Sequence, residues 1–198
     1  MAVDFMNSET KRNLMRAFAG ESQARNRYTF GASQAKQQKL YVLERIFQYT
    51  ADQEKEHAEI FYNFLKEAAG ETIHVDGGYP VDISDSLADL LRMAQHNEME
   101  EYGVVYKAFG DKAKEEGFAA VAQAFYQIAE IEKTHGDRFG RYAGWMENQE
   151  LFSSDGEICW LCLNCGHIHK GPKAPGICPV CRHEQGYFVR LEEAPWTK

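Results

Sequence analysis

The feature that most constrains this chain is a pair of polar motifs repeated on apolar helix faces. Glu54-x-x-His57 recurs as Glu132-x-x-His135, shifted by 78 residues, and Glu21 recurs as Glu98, shifted by 77. Each falls within an apolar stripe at helical spacing of three and four. On the first helix the stripe is Leu14, Phe18, Ala24 and Tyr28 around Glu21. On the second, Leu43, Phe47, Ala51, Ala58, Phe61 and Leu65 surround Glu54 and His57. On the third, Leu87, Leu91, Ala94, Tyr102, Val105 and Phe109 enclose Glu98 and Glu101; on the fourth, Val121, Phe125, Ile128, Phe139 and Tyr142 enclose Glu132 and His135. Glu56, Glu59, Glu100 and Glu130 fall off the stripes and read as solvated.

The repeat implies two helix pairs related by a pseudo-twofold axis. Ser8 or Asn7 caps a first helix running to about Gln38; a second runs from about Leu40 to Ala69 and stops at Gly70. Ser84 or Asp85 opens a third that ends near Gly117, and a fourth runs from about Phe118 to Met146. Helices of about 30 residues are about 45 Å long. The Gly- and Pro-containing segment 70–83, extended, just spans that distance. The fold class is therefore mainly α: a ferritin-like four-helix bundle with one long crossover over residues 1–150. A small tail of short β-strands occupies residues 151–198, after the linker NQELFSSDG.

Five inward carboxylates would repel one another, and each unpaired one costs several kcal/mol to bury. Two metal ions turn that repulsion into coordination. One Glu from each of two helices plus Glu-x-x-His from each of the other two is the pattern of a di-iron or di-manganese carboxylate site. Glu54 and Glu132 are the natural bridges, with Glu21 and Glu98 terminal. Glu101 has no counterpart in the first half and breaks the symmetry, which would let one iron change partners. Tyr28 reads either as a hydrogen-bond donor behind the site or as an ordinary core tyrosine.

The tail holds all five cysteines of the chain. Cys162-x-x-Cys165 and Cys178-x-x-Cys181 form two knuckles able to supply four thiolates to one tetrahedral ion. Cys159 makes an overlapping Cys-x-x-Cys, but Gly166 follows Cys165 whereas Leu163 follows Cys162, which selects the Cys162 register. Iron and zinc both fit four thiolates; the tether to a di-metal site that needs electrons points to iron. His167, His169 and His183 read as surface residues.

The segments AGESQARNRY (19–28), ADQEKEH (51–57), NEMEEY (97–102) and IEKTHGDRF (131–139), with both knuckles in order, resemble the rubrerythrin family. The resemblance implies a di-iron bundle fused to a rubredoxin-like domain, and a peroxidase reducing hydrogen peroxide to water in defence against oxidative stress. It implies ligands Glu21, Glu54, Glu98, Glu101, Glu132 and His135, with His57 binding in the reduced state in alternation with Glu101. Tyr28 and Tyr106 match the family's active-site tyrosines. It also implies electrons from NAD(P)H through a reductase, often with a separate rubredoxin, and a homodimer or higher homo-oligomer. The second knuckle departs from free-standing rubredoxins in continuing Cys181-Arg182 rather than Cys-Gly, and the interval between knuckles is short. Both departures bear on the redox potential more than on the ligation.

The net charge of −8 lies wholly in the first 150 residues and argues against nucleic acid. The longest apolar run, Ile158 to Leu163, is far too short for a membrane span. The opening MAVDFMNSETKR lacks a signal-type apolar segment, so a cytoplasmic location is expected. Two other readings fit parts of the chain: a ferroxidase or iron-handling protein, and a non-enzymatic metal or peroxide sensor carrying a zinc ribbon.

Overall fold

The computed structural model describes residues 3–194. The ends of the two domains expected over 1–150 and 151–198 thus lie outside the described residues. Four rods form the bundle: α1 (Glu9–Gln37), α2 (Tyr41–Asn63), a third rod made of α3 (Leu87–Glu100) and α4 (Tyr106–Glu115), and α5 (Ala119–Glu147). Ser8 caps α1 through its side chain, which accepts from the Lys11 amide. Glu116 accepts from the Glu9 and Thr10 amides and the Thr10 hydroxyl, so the end of the third rod ties down the start of the first.

Three boundaries differ from the sequence reading. The α-helical part of α2 stops at Asn63, and a 3-10 turn over Lys66–Ala68 carries the chain on to Gly70 at φ +88°. The third rod begins at Leu87, capped by Ser86, not by Ser84 or Asp85; the Ser86 hydroxyl is the one that reaches an orphan amide, at Asp89. That rod is also interrupted by one π turn, Glu101–Val105, between α3 and α4.

The crossover runs back along α1. Asp76 pairs with Arg16, Asp82 with Arg27, and the carbonyls of Ser84 and Asp85 accept from Gln34 and Gln38. These contacts climb α1 from its start to its end, so α3 sets off beside the start of α2 and runs parallel to it.

Two apolar clusters fill the bundle. One, around Leu14, Phe61, Tyr106 and Phe125, lies toward the start of α1. The other, around Phe47, Leu91, Phe139 and Tyr142, takes in Leu151, Leu161 and Val189 of the tail. The tail is a three-stranded antiparallel sheet of order β2-β1-β3, with β1 Ser153–Cys162, β2 Ile168–Lys173 and β3 Phe188–Arg190. It docks on the α1–α2 turn, where Tyr41 stacks on Tyr187 at 4.0 Å. Gly186 permits this approach: a Cβ there would lie 1.8 Å from the Lys39 carbonyl oxygen. The Arg190 guanidinium lies over the rings of both Trp145 of α5 and Trp160 of β1.

Candidate metal centres

Midway between the apolar clusters, the four rods bring six of the seven expected polar residues together. Glu21, Glu54, His57, Glu98, Glu132 and His135 are each at most 5% exposed. They fall into two overlapping groups, Glu21–Glu54–His57–Glu132 and Glu54–Glu98–Glu132–His135, whose candidate ligand atoms lie within 4.8 Å of one another. Glu54 and Glu132 belong to both. His57 Nδ1 is 2.9 Å from Glu132 Oε1 and 3.1 Å from Glu54 Oε2, while His135 Nδ1 is 2.8 Å from Glu132 Oε2 and 2.9 Å from Glu54 Oε1. Each shared carboxylate thus turns one oxygen toward each histidine. The imidazoles lie nearly parallel, 5.7 Å apart.

The tyrosines complete the symmetry. The Tyr28 hydroxyl of α1 donates to Glu98 of α3, and the Tyr106 hydroxyl of the third rod donates to Glu21 of α1. Burial, and then the neighbouring carboxylates, push both phenols well above their ordinary range, so both stay protonated donors.

Glu101 stands apart. It opens the π turn, is half-buried, and belongs to neither group of four. It borders a cavity on the crossover side of the cluster, together with Tyr106. The π turn adds one residue between Glu98 and Tyr106, which are eight apart, where Glu21 and Tyr28 are seven apart. The unequal repeat shifts of 77 and 78 carry that signal in the sequence.

Without metal the cluster is frustrated. Burial first, and neighbouring carboxylates second, raise Glu21, Glu98 and Glu101 well above the carboxylate range. Glu54 is raised by burial but lowered more by His135 and His57, ending at about 2. Burial lowers both histidines, yet contacts to Glu132 and Glu54 carry His57 to about 9 and His135 to about 12. Among the described residues, Glu21 Oε2, Glu98 Oε2 and His135 Nε2 have no hydrogen-bond partner, and Glu54 Oε1, both Glu132 oxygens and His135 Nδ1 meet only in close histidine–carboxylate contacts that lack hydrogen-bond alignment. Native interiors rarely leave such groups unmet. Lone pairs of oxygen and nitrogen converging in an apolar interior suit a pair of cations that accept six or more hard ligands.

The tail presents a second centre. The sulfurs of Cys162, Cys165, Cys178 and Cys181 lie within 4.8 Å of one another, with Cys162–Cys181 at 3.8 Å and Cys165–Cys178 at 3.7 Å. An ion bound tetrahedrally at about 2.3 Å spaces its sulfurs about 3.8 Å apart, so the four thiols fit one. The His183 amide above all lowers the Cys181 thiol to about 5. Burial pushes Cys162 up to about 12. Cys159 lies outside the group, paired with Lys170 across β1 and β2. The residue after each knuckle takes the left-handed conformation, Gly166 at φ +79° and Arg182 at φ +64°, so the Arg for Gly departure leaves the turn unchanged.

Hydrophobic periodicity reveals neither the π turn nor the network in which Asp82 of the crossover accepts from both Arg27 and Asn97 beside Tyr28. On the crossover Val81 and Ile83 are both over 80% exposed around a largely buried Asp82, the reverse of what their polarity suggests.

The pattern of the family described as Rubrerythrin matches residues 12–143, and that of the Rubrerythrin, rubredoxin-like domain matches residues 160–189. A rubrerythrin of Porphyromonas gingivalis is 43% identical over 192 residues, covering 97% of this chain and 94% of that protein. One of Clostridium perfringens is 42% identical over 187 residues, covering 94% and 96%. Among solved structures, nigerythrin in its mixed-valence state aligns with TM-score 0.62 at 28% identity over 96% of this chain and 88% of that one. A bacterioferritin of Mycobacterium tuberculosis shares the bundle fold, with TM-score 0.64 at 17% identity over 76% and 91%.

Proposed function

The chain belongs to the rubrerythrin family, and from that premise we propose that it is a non-haem di-iron peroxidase reducing hydrogen peroxide to water in defence against oxidative stress. The observation that carries this reading is the set of buried carboxylate and imidazole atoms that converge between the apolar clusters with few aligned hydrogen bonds. In it, Glu54 and Glu132 would be shared by two irons, Glu21 and His57 would hold one of them, and Glu98 and His135 the other. Glu101 would be the seventh ligand, in alternation with His57. When bound, such a pair supplies two electrons, one from each ion, together with Lewis acidity, to cleave the O–O bond.

The protein's part is orientation and proton supply. The Tyr28 and Tyr106 hydroxyls hold the terminal carboxylates Glu98 and Glu21 in place. Hydrogen peroxide takes up two protons and two electrons to give two waters. Glu101, partly exposed on the cavity side, is placed to pass a proton inward from solvent when His57 takes its place as ligand.

Cys162, Cys165, Cys178 and Cys181 would hold one iron, which would supply one-electron chemistry for relay from rubredoxin-type donors fed by an NAD(P)H-dependent reductase. A zinc-filled tail would be redox-silent and would suit the sensor reading instead. Val42, where α2 packs into the cluster shared with the tail, is about 18 Å along the helix from Glu54. That separation favours delivery from the tail of one subunit to the cluster of another, hence a homodimer or larger homo-oligomer. No helix among the described residues is long and apolar enough to cross a membrane. The five cysteines, none in a disulfide, suit a reducing compartment such as the cytoplasm.

Anaerobic stopped-flow mixing tests the reading. Reduced, iron-loaded protein should be oxidised far faster by hydrogen peroxide than by dioxygen. Equal or reversed rates overturn it, and retention of many irons per bundle favours iron handling.

A further inference from the structure

A cavity of about 590 Å³ opens beside the carboxylate cluster, between the crossover, α1 and the π turn. Its inner wall includes Glu101 and Tyr106, and Tyr106 is in direct contact with Glu21. Glu101 is half-buried while the other six candidate ligands are buried, so the cluster meets solvent on this side. Along the bundle axis the apolar clusters close the site at both ends.

The outer wall is a fastened strap. Arg16 donates to the Asp76 carboxylate at 2.7 Å and to the Asp76 carbonyl at 3.1 Å. The Tyr79 hydroxyl donates to the Arg16 carbonyl at 3.2 Å. A Cβ on Gly20 would meet only Tyr79 Cε1, at 3.8 Å, so the Tyr79 ring rests against bare backbone of α1, one residue from Glu21. The ring and the missing side chain together set how much of the cavity is open.

Resting on the peroxidase reading, we propose that this cavity is the path by which oxidant reaches the cluster, and that Tyr79 is a specificity-determining residue that limits it to small hydroperoxides. Gln23, Asn97 and Glu100 line the cavity with polar groups suited to a small neutral molecule that both donates and accepts hydrogen bonds. A bulky aryl hydroperoxide must displace the ring.

Two substitutions push in opposite directions. Tyr79→Ala removes the ring, and Gly20→Leu fills the space beneath it. Tyr79→Phe keeps the ring and loses only the bond to Arg16. In iron-loaded protein, Tyr79→Ala should raise the ratio of the cumene hydroperoxide rate to the hydrogen peroxide rate about tenfold, with Tyr79→Phe at the parent ratio. Gly20→Leu should slow azide association with the oxidised protein, followed by absorbance, about tenfold while the melting curve stays cooperative. An unchanged ratio in Tyr79→Ala overturns the inference, as does unchanged azide association in folded Gly20→Leu. Should Gly20→Leu not fold, the Tyr79→Ala ratio decides. The peroxidase reading fails separately, if the parent protein prefers dioxygen; the azide measurement does not depend on that preference.

Discussion

The Tyr106 hydroxyl reaches across the bundle to the Glu21 carboxylate, one residue out of register with its symmetry mate. Tyr28 makes the equivalent bond to Glu98 from seven residues after Glu21, whereas Tyr106 makes its own from eight residues after Glu98. The extra residue is taken up by the π turn that begins at Glu101. The bundle keeps its pseudo-twofold tyrosine pair and gains a seventh carboxylate on one side only.

Because each tyrosine supports a different terminal carboxylate, their removal should be distinguishable. Tyr106→Phe should weaken the site on the Glu21–His57 side, and Tyr28→Phe the one on the Glu98–His135 side, each by about 10–100-fold in metal affinity. Stepwise metal titration followed by calorimetry checks this. Equal weakening of both steps by either variant would show that the tyrosines act on the bundle as a whole.

The metal-free protein should lose stability as pH rises. Glu21, Glu98 and Glu101 have raised values and bind protons more tightly folded than unfolded, so their contribution is full below the ordinary carboxylate range and declines above it. The contribution of His57 is full below its unfolded value of about 6.5 and is lost as pH rises through about 9; that of His135 persists toward about 12. Glu54 runs the other way, stabilising above its ordinary value and losing that contribution as pH falls toward about 2. Apoprotein should therefore melt at lower temperature at pH 9 than at pH 6. Metal affinity should rise over the same interval, because ions replace those protons. Thermal scans of apo and loaded protein at both pH values measure this.

Much of the site was legible because its chemistry conflicts with its surroundings. A carboxylate such as Glu132 inside the stripe Phe125, Ile128, Phe139 has no stable explanation without a charge opposite, and periodicity alone exposes that conflict. The first cap was legible as Ser8 or Asn7, two short polar side chains just before a long helix, and the Ser8 hydroxyl is the one that accepts from the Lys11 amide. Ser86 was missed because Ser84, Asp85 and Ser86 are equally good caps by type, and only the geometry of the turn picks one. The π turn was missed because an added residue leaves hydrophobic spacing nearly intact; its trace lay in the difference between two repeat shifts. Tyr79 and Asp82 lie on an extended crossover, where no period reveals which side chains face the bundle.

Arg182 holds the left-handed position that Gly166 fills in the first knuckle. A side chain there costs about 1–2 kcal/mol, so Arg182→Gly should stabilise the metal-loaded tail by about 1 kcal/mol. Chelator-challenge kinetics, followed at the thiolate absorption, should show slower metal loss. Faster loss would mean that the Arg182 side chain contributes more than its backbone strain removes.

Cys162→Ser takes one thiolate from the tail and none from the bundle. NAD(P)H-linked turnover should be abolished, while single-turnover oxidation of prereduced protein by peroxide should persist. Loss of both would assign the tail a role in folding the bundle, through the apolar cluster that Leu161 and Val189 share with Phe47 and Phe139.

Anomalous diffraction at the iron edge, from crystals of iron-loaded protein, tests the inward carboxylates most directly. Two iron peaks are expected inside the bundle, one among Glu21, Glu54, His57 and Glu132 and one among Glu54, Glu98, Glu132 and His135, plus a third amid the four cysteines. A single bundle peak, or carboxylates turned out to solvent with no iron between them, would contradict this expectation.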